Sequence, residues 1–202
     1  MNYILDFSRT MSMAICNNAK VYSSPEKRAE IEYGVYTFVS NVIKSIIVFC
    51  IAYVLGILNY VLVAFFSFGA LRTFAGGVHA RTSFGCFFLS AFIYFPAAYL
   101  GLYYPLPNTI TYILFGVCLI MVTLYAPADV AEKPILGKKR RRNLRKWSFI
   151  TLGVLFVLTL FQNQDVASII TVSCFMESLT LTPPAYTLTN SRKGGEYFYE
   201  KT

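Results

Sequence analysis

The only histidine in the chain, His79, precedes Cys86 by seven residues. A thiol attacks as its thiolate, and a histidine is the usual base that makes one. On one straight helix, residues seven apart share a face but stand roughly 10 Å apart along the axis, too far to touch. The pair can react together only if His79 lies outside the helix and folds back toward Cys86. The intervening residues allow this. Gly76 and Gly77 supply a turn able to take positive φ, and Thr82 or Ser83 supplies an N-cap. With Ser83 as the cap, Cys86 is the third helical residue, where the helix dipole favours a thiolate. Unpaired N–H groups at that helix start, or at Gly76 and Gly77, are candidates for an oxyanion hole. The two residues alone are equally compatible with an interfacial histidine beside a small apolar thiol.

The elements that must position this pair are those of a membrane protein. The chain has 202 residues, 56% of them hydrophobic and 17% aromatic, and only 14% charged. A soluble domain carries roughly 25% charged residues, so this chain has too little polar surface to cover a water-facing globule. A spanning helix needs roughly 20 largely apolar residues. Apolar runs predict spans at about 36–58, 60–71, 84–102, 109–125, 148–161 and 166–181. The second run is short, and crosses only if tilted or extended through residues 72–75. Gly56 and Asn59 mark a turn, Tyr103, Tyr104, Pro105 and Pro107 an interface and a second turn, and Gln162–Asp165 a third. The expected fold is all-α: an integral membrane protein of about six transmembrane helices, preceded by an N-terminal amphipathic interfacial helix. The first 30 residues carry seven charged side chains and show no signal-peptide pattern. Residues 1–35 therefore read as a cytoplasmic, interfacial amphipathic segment, residues 36–184 as a polytopic membrane domain, and residues 185–202 as a cytoplasmic tail.

The distribution of basic residues sets the orientation. Of 18 Lys and Arg, 17 fall in the two termini, the loop at 72–83 and the loop at 128–146, and only Lys44 lies within a span. The three loops expected on the other side contain none. The positive-inside rule then places both termini and both basic loops in the cytoplasm. The net charge of +8 is explained by these membrane-flanking loops, with anionic lipid as their contact, and calls for no nucleic acid. Glu177 lies within the sixth span, where ionisable groups are costly and often functional; Lys44 is the nearest cation that can be named as its partner. The five cysteines form no CxxC pair and no metal-ligand spacing, so neither a disulfide framework nor a zinc site is expected. No phosphate-binding or dinucleotide fingerprint occurs, and no cofactor is expected. Small residues recur along the spans and are compatible with a homodimer without compelling one.

The stretch Arg72-Thr-Phe-Ala-Gly-Gly-Val-His-Ala-Arg-Thr-Ser-Phe-Gly-Cys86 resembles the AgrB family of accessory gene regulator membrane proteases, as does Ala126-Pro-Ala-Asp-Val-Ala-Glu-Lys-Pro134 in the loop at 127–146. Chain length, span order and the basic loop agree with that family, and the resemblance covers about residues 1–190. Val78 stands where the family often has an aromatic residue, a departure bearing on specificity. The resemblance implies a bacterial cysteine endopeptidase of the cell membrane, with its catalytic loop at 72–86. Its substrate would be a small AgrD-like membrane-associated propeptide. The enzyme would remove the C-terminal tail and promote cyclisation to a thiolactone or lactone quorum-sensing peptide. Cys86 would be the nucleophile and His79 the general acid and base. Arg72, Gly77 and Lys133 fall on positions the family tends to retain, and Asp129 would be a third group orienting His79. A non-enzymatic membrane peptide exporter or assembly factor is the alternative, as is an acyltransferase using the same pair. The first predicts that neither Cys86→Ser nor His79→Ala matters, and the second predicts acyl labelling of Cys86 without any propeptide.

Overall fold

The computed structural model describes Thr10, Met13, residues 25–78, 83–129, Ile135 and residues 137–189; of residues 25–30, Tyr33, Ser83 and Phe84 it gives the backbone only. Most of the N-terminal amphipathic segment, His79, Lys133 and the end of the tail lie outside these residues. The chain divides into two units, residues 1–51 and 52–202. The first is represented by helix α1, Pro25–Val54, which ends just inside the second. Proline is tolerated at a first helical turn because its missing N–H has no intrahelical partner there. The sequence expectation placed a boundary near residue 35. Helix α1 runs without a break for 30 residues through that position, and its apolar stretch, Gly34–Val54, is long enough to cross a bilayer.

In the second unit, α2 (Leu58–Ala75), α3 (Ser83–Tyr103), α4 (Asn108–Tyr125), α5 (Lys138–Phe161) and α6 (Gln164–Thr180) are followed by the short α7 (Pro183–Leu188). The second apolar run is thus a full helix of 18 residues, extended through 72–75. At 1.5 Å per residue it reaches roughly 27 Å, close to the hydrocarbon thickness. Its turn from α1 is made by Gly56 at φ 71°, while Asn59 lies inside α2 rather than in the turn. Helix α5 begins ten residues before the expected span, because the basic cluster at 138–146 is itself helical. Among the described residues, five helices, α1 to α5, have the length and composition of membrane spans.

Helix α6 has 17 residues and is the most enclosed, packing against α2, α3, α4 and α5. It is rich in serine and threonine, which suits a central position in two ways. Small side chains let neighbouring backbones approach closely. Gly101 of α3 shows this: a Cβ there would lie 2.3 Å from Ile169 Cγ1. Three of the hydroxyls also bond back along the helix: Ser168 donates to Gln164 O (2.6 Å), Thr171 to Ala167 O (2.7 Å) and Ser178 to Cys174 O (2.8 Å). Large apolar residues on the outer helices point outward, among them Phe66, Phe88, Ile113, Leu124 and Phe161, as expected of a lipid-facing surface.

Helices α2 to α6 alternate in direction. At one end, the amide of Leu106 donates to Ser168 Oγ (2.8 Å) and Gln164 Nε2 to Leu106 O (3.0 Å). At the other, residues 76–78, 126–129 and 180–186 converge. The basic start of α5 lies at that second end, where Arg145 donates to Thr123 O and Arg141 pairs with Asp129. The connections at the first end, 104–107 and 162–163, contain no Lys or Arg. The sequence-based grouping of loops by charge therefore matches the grouping by position within this unit.

Candidate functional site

The end of α2 fixes the segment that leads to the motif histidine. Gly76 and Gly77 take φ of 79° and 123°, values that side-chain-bearing residues rarely adopt. The amide of Gly76 donates to Arg72 O (3.0 Å), closing the helix. The chain then runs extended between two neighbours. On one side the 126–129 loop forms a bridge: Ala128 N donates to Ala75 O (2.8 Å) and Gly77 N to Ala128 O (3.2 Å). On the other, Val78 N donates to Thr180 O at the end of α6 (3.3 Å). The N–H groups of Gly76 and Gly77, candidate oxyanion donors by sequence, are consumed in holding this segment.

Arg72 ties the segment to α6. Its Nη1 lies 3.0 Å from Glu177 Oε2 and 3.3 Å from Thr180 Oγ1, and its Nη2 donates to the Val78 carbonyl. The guanidinium also stands 5.5 Å from the ring centroid of Phe68, a favourable cation–π placement. Phe68 in turn packs edge-on against Tyr94 of α3. Glu177 is fully buried and Arg72 partly so, with side-chain exposures of 0% and 19%. Glu177 thus finds its cation in Arg72, 105 residues away, and not in Lys44, the cation named for it from the sequence. Any side chain at Gly77 would intrude on this cluster, since its Cβ would come 2.5 Å from Thr180 Oγ1 and 3.0 Å from Arg72 Nη1.

Helix α3 starts at Ser83, so Ser83 is its first residue rather than its cap. Cys86 is the fourth residue, still within the first turn, and its thiol is half-buried. Cys118 and Cys174 are buried in the bundle. Four residues, 79–82, separate the fixed Val78 from α3. Asp129 is buried, and its Oδ2 accepts from Ile135 N (3.3 Å) and pairs with Arg141 (3.1 Å). Its carbonyl accepts from Tyr186 OH (2.8 Å). Burial, and then the neighbouring Asp129 carboxylate, push the Tyr186 phenol up to about 12. Thr180, Arg141 and Tyr186 were not singled out by sequence reasoning. Arg141 was hidden within a run of like charges, and Thr180 and Tyr186 carry no motif.

A family model described as Accessory gene regulator B matches residues 8–181. The chain is 29% identical over 157 residues to the Accessory gene regulator protein B of Staphylococcus aureus, covering 78% of this chain and 83% of that one. A putative AgrB-like protein of Clostridium acetobutylicum is 27% identical over 174 residues, covering 86% and 83% of the two chains. Another, from Listeria monocytogenes, is 26% identical over 194 residues, covering 96% and 95%. No solved structure matches the chain. The chain belongs to the Accessory gene regulator B family, and this multi-pass membrane protein accordingly has a role in the agr quorum-sensing system.

Proposed function

We propose that the protein is the membrane-embedded cysteine endopeptidase of its agr system. It removes the C-terminal tail of a small membrane-associated propeptide and promotes cyclisation of the remainder. The observation that carries this reading is the half-buried Cys86 in the first turn of α3, eight residues past Val78, the end of a segment fastened to the 126–129 loop, to α6 and, through Arg72, to α2.

His79 takes the Cys86 proton as Sγ attacks the scissile carbonyl. The tetrahedral adduct collapses, the C–N bond breaks, and the leaving amine receives that proton from His79. The tail departs and an acyl thioester remains on Cys86. A cysteine thiol or serine hydroxyl within the propeptide then attacks the thioester. The ring closes as thiolactone or lactone and the Cys86 thiol is regenerated. Arg72, Gly76 and Gly77 hold the loop, while Asp129 and Lys133, from the second motif, are assigned to supporting it. The basic start of α5 and Arg72 at the end of α2 lie at one end of the second unit's helices, which supports a cytoplasmic catalytic loop with both termini inside.

The test uses purified protein in liposomes with the candidate propeptide, followed by mass spectrometry. A released tail together with a cyclised or acyl-enzyme species, made by wild type and absent with Cys86→Ser, is the expected result. Intact propeptide with a folded wild type that demonstrably binds it would refute the peptidase and favour an export or assembly role.

A further inference from the structure

We propose that Glu177 and Thr180 are positioning residues of the peptidase, acting through Arg72 to fix the Val78 carbonyl and the backbone that enters the catalytic loop; this rests on the peptidase reading above. Arg72 divides its donors between two directions. One terminal nitrogen goes to Glu177 Oε2 and Thr180 Oγ1, and the other goes to the carbonyl of Val78. A guanidinium is planar and rigid, so anchoring one nitrogen aims the other. Thr180 adds a second hold on the same residue, because its own carbonyl accepts from Val78 N (3.3 Å). Val78 is therefore gripped at both its N–H and its C=O by groups that trace back to the end of α6.

A simple need to neutralise Arg72 does not explain the arrangement. Arg72 sits at the end of α2 and retains some exposure, whereas Glu177 is completely buried. Among the described residues, Glu177 Oε1 has no hydrogen-bond partner. A buried carboxylate oxygen without a donor is costly, and a cation near a helix end can be satisfied at the interface without one. Glu177 is thus held in an unfavourable site that gives Arg72 one fixed direction. Gly77 completes the fit, since the backbone passes the pair where any Cβ would collide with Thr180 and Arg72.

The experiment combines two readouts on full-length protein in liposomes. The first is propeptide cleavage per folded molecule, resolved into kcat and KM. The second is hydrogen exchange at the Gly77 and Val78 amides, which needs no activity. In Glu177→Gln, kcat falls roughly 10- to 100-fold, the scale on which small misplacement of reacting groups acts. KM stays within about threefold, since no substrate contact is removed, and exchange at both amides rises. Glu177→Asp recovers part of the rate. Thr180→Val keeps the ion pair and loses several-fold in kcat, and Thr180→Ser restores it; this variant decides the matter if Glu177→Gln does not fold. Unchanged kcat per folded molecule and unchanged exchange in Thr180→Val, with Cys86-dependent cleavage by wild type, would overturn the positioning role alone. Cleavage that does not depend on Cys86 would instead overturn the peptidase reading, whatever the exchange shows.

Discussion

Replacing Gly76 with alanine places a methyl group where the surrounding atoms are all backbone. The new Cβ would lie 2.0 Å from the Ala128 carbonyl oxygen, 3.1 Å from its carbonyl carbon and 3.4 Å from its nitrogen. None of these can rotate away as a side chain could, so the 126–129 loop must retreat by more than an ångström. The bridge then loses the Ala128 N to Ala75 O and Gly77 N to Ala128 O bonds, about 1 kcal/mol each. Holding alanine at a φ of 79° adds about 1–2 kcal/mol. The expected cost is about 3–4 kcal/mol, a fall in melting temperature on the order of 10 °C. Gly69, in the middle of the same helix, is the control. Nothing lies within 4 Å of its Cβ position, so Gly69→Ala should gain about 0.5–1 kcal/mol from helix propensity. Thermal unfolding in detergent, followed by circular dichroism, measures both, and cleavage assays on the folded material report whether the loop is still set for chemistry. A Gly76→Ala protein that melts with wild type, or a Gly69→Ala protein that falls as far as Gly76→Ala, would refute the steric reasoning.

Tyr186→Phe removes the donor to the Asp129 carbonyl and should cost about 1–3 kcal/mol, the penalty for leaving a buried acceptor unpaired; chemical denaturation in mixed micelles measures it. The same variant carries a pH signature: the phenol is raised from 10.0 to about 12, so below pH 10 both folded and unfolded forms keep the proton. Between pH 10 and 12 the unfolded chain loses it first, and stability falls as pH rises. Wild type should lose more stability than Tyr186→Phe across that window, and parallel curves for the two would remove Tyr186 from the account. Gly101→Leu forces a side chain into Ile169 and toward the Asp165 carbonyl, 2.8 Å from the Cβ position. Overpacking of this kind costs about 1–3 kcal/mol, and Ile169→Ala in the same chain should return part of it; no recovery would mean that the close approach of α3 and α6 does not limit packing.

The helices were legible because lipid imposes one simple demand, an apolar run of sufficient length. Their positions agree with that pattern to within a few residues at most ends. The exceptions have local causes. Helix α5 starts early because lysine and arginine are good helix formers, so a basic loop can be helical without being apolar. Helix α1 starts early because charged residues at 26–32 continue the helix beyond the apolar stretch. Hydropathy marks what lipid touches, and it says little about which helix others surround. The enclosure of α6 was signalled only by its serines and threonines, which a length-and-hydropathy reading treats as defects in a span.

The site divides along the same line. Arg72, Gly76, Gly77 and Cys86 were readable because they lie within 15 consecutive residues of a recognisable pattern. Their partners were not, because each comes from a distant part of the chain: Ala128 from the loop after α4, Glu177 and Thr180 from α6. A glutamate within a span announces that a cation must be near, and the choice between Lys44 and Arg72 depends on which helix end meets α6. Spacing carries no information about that choice, but backbone chemistry does. Two consecutive glycines at a helix end need a neighbour close enough to exclude a Cβ. Thr180 and Arg72 occupy that volume at Gly77, as Ala128 does at Gly76. The glycine pair is therefore better understood as a place where two other segments press against the chain than as a flexible turn. Two distant segments, the loop after α4 and the end of α6, thus set the backbone of the motif at Gly76, Gly77 and Val78.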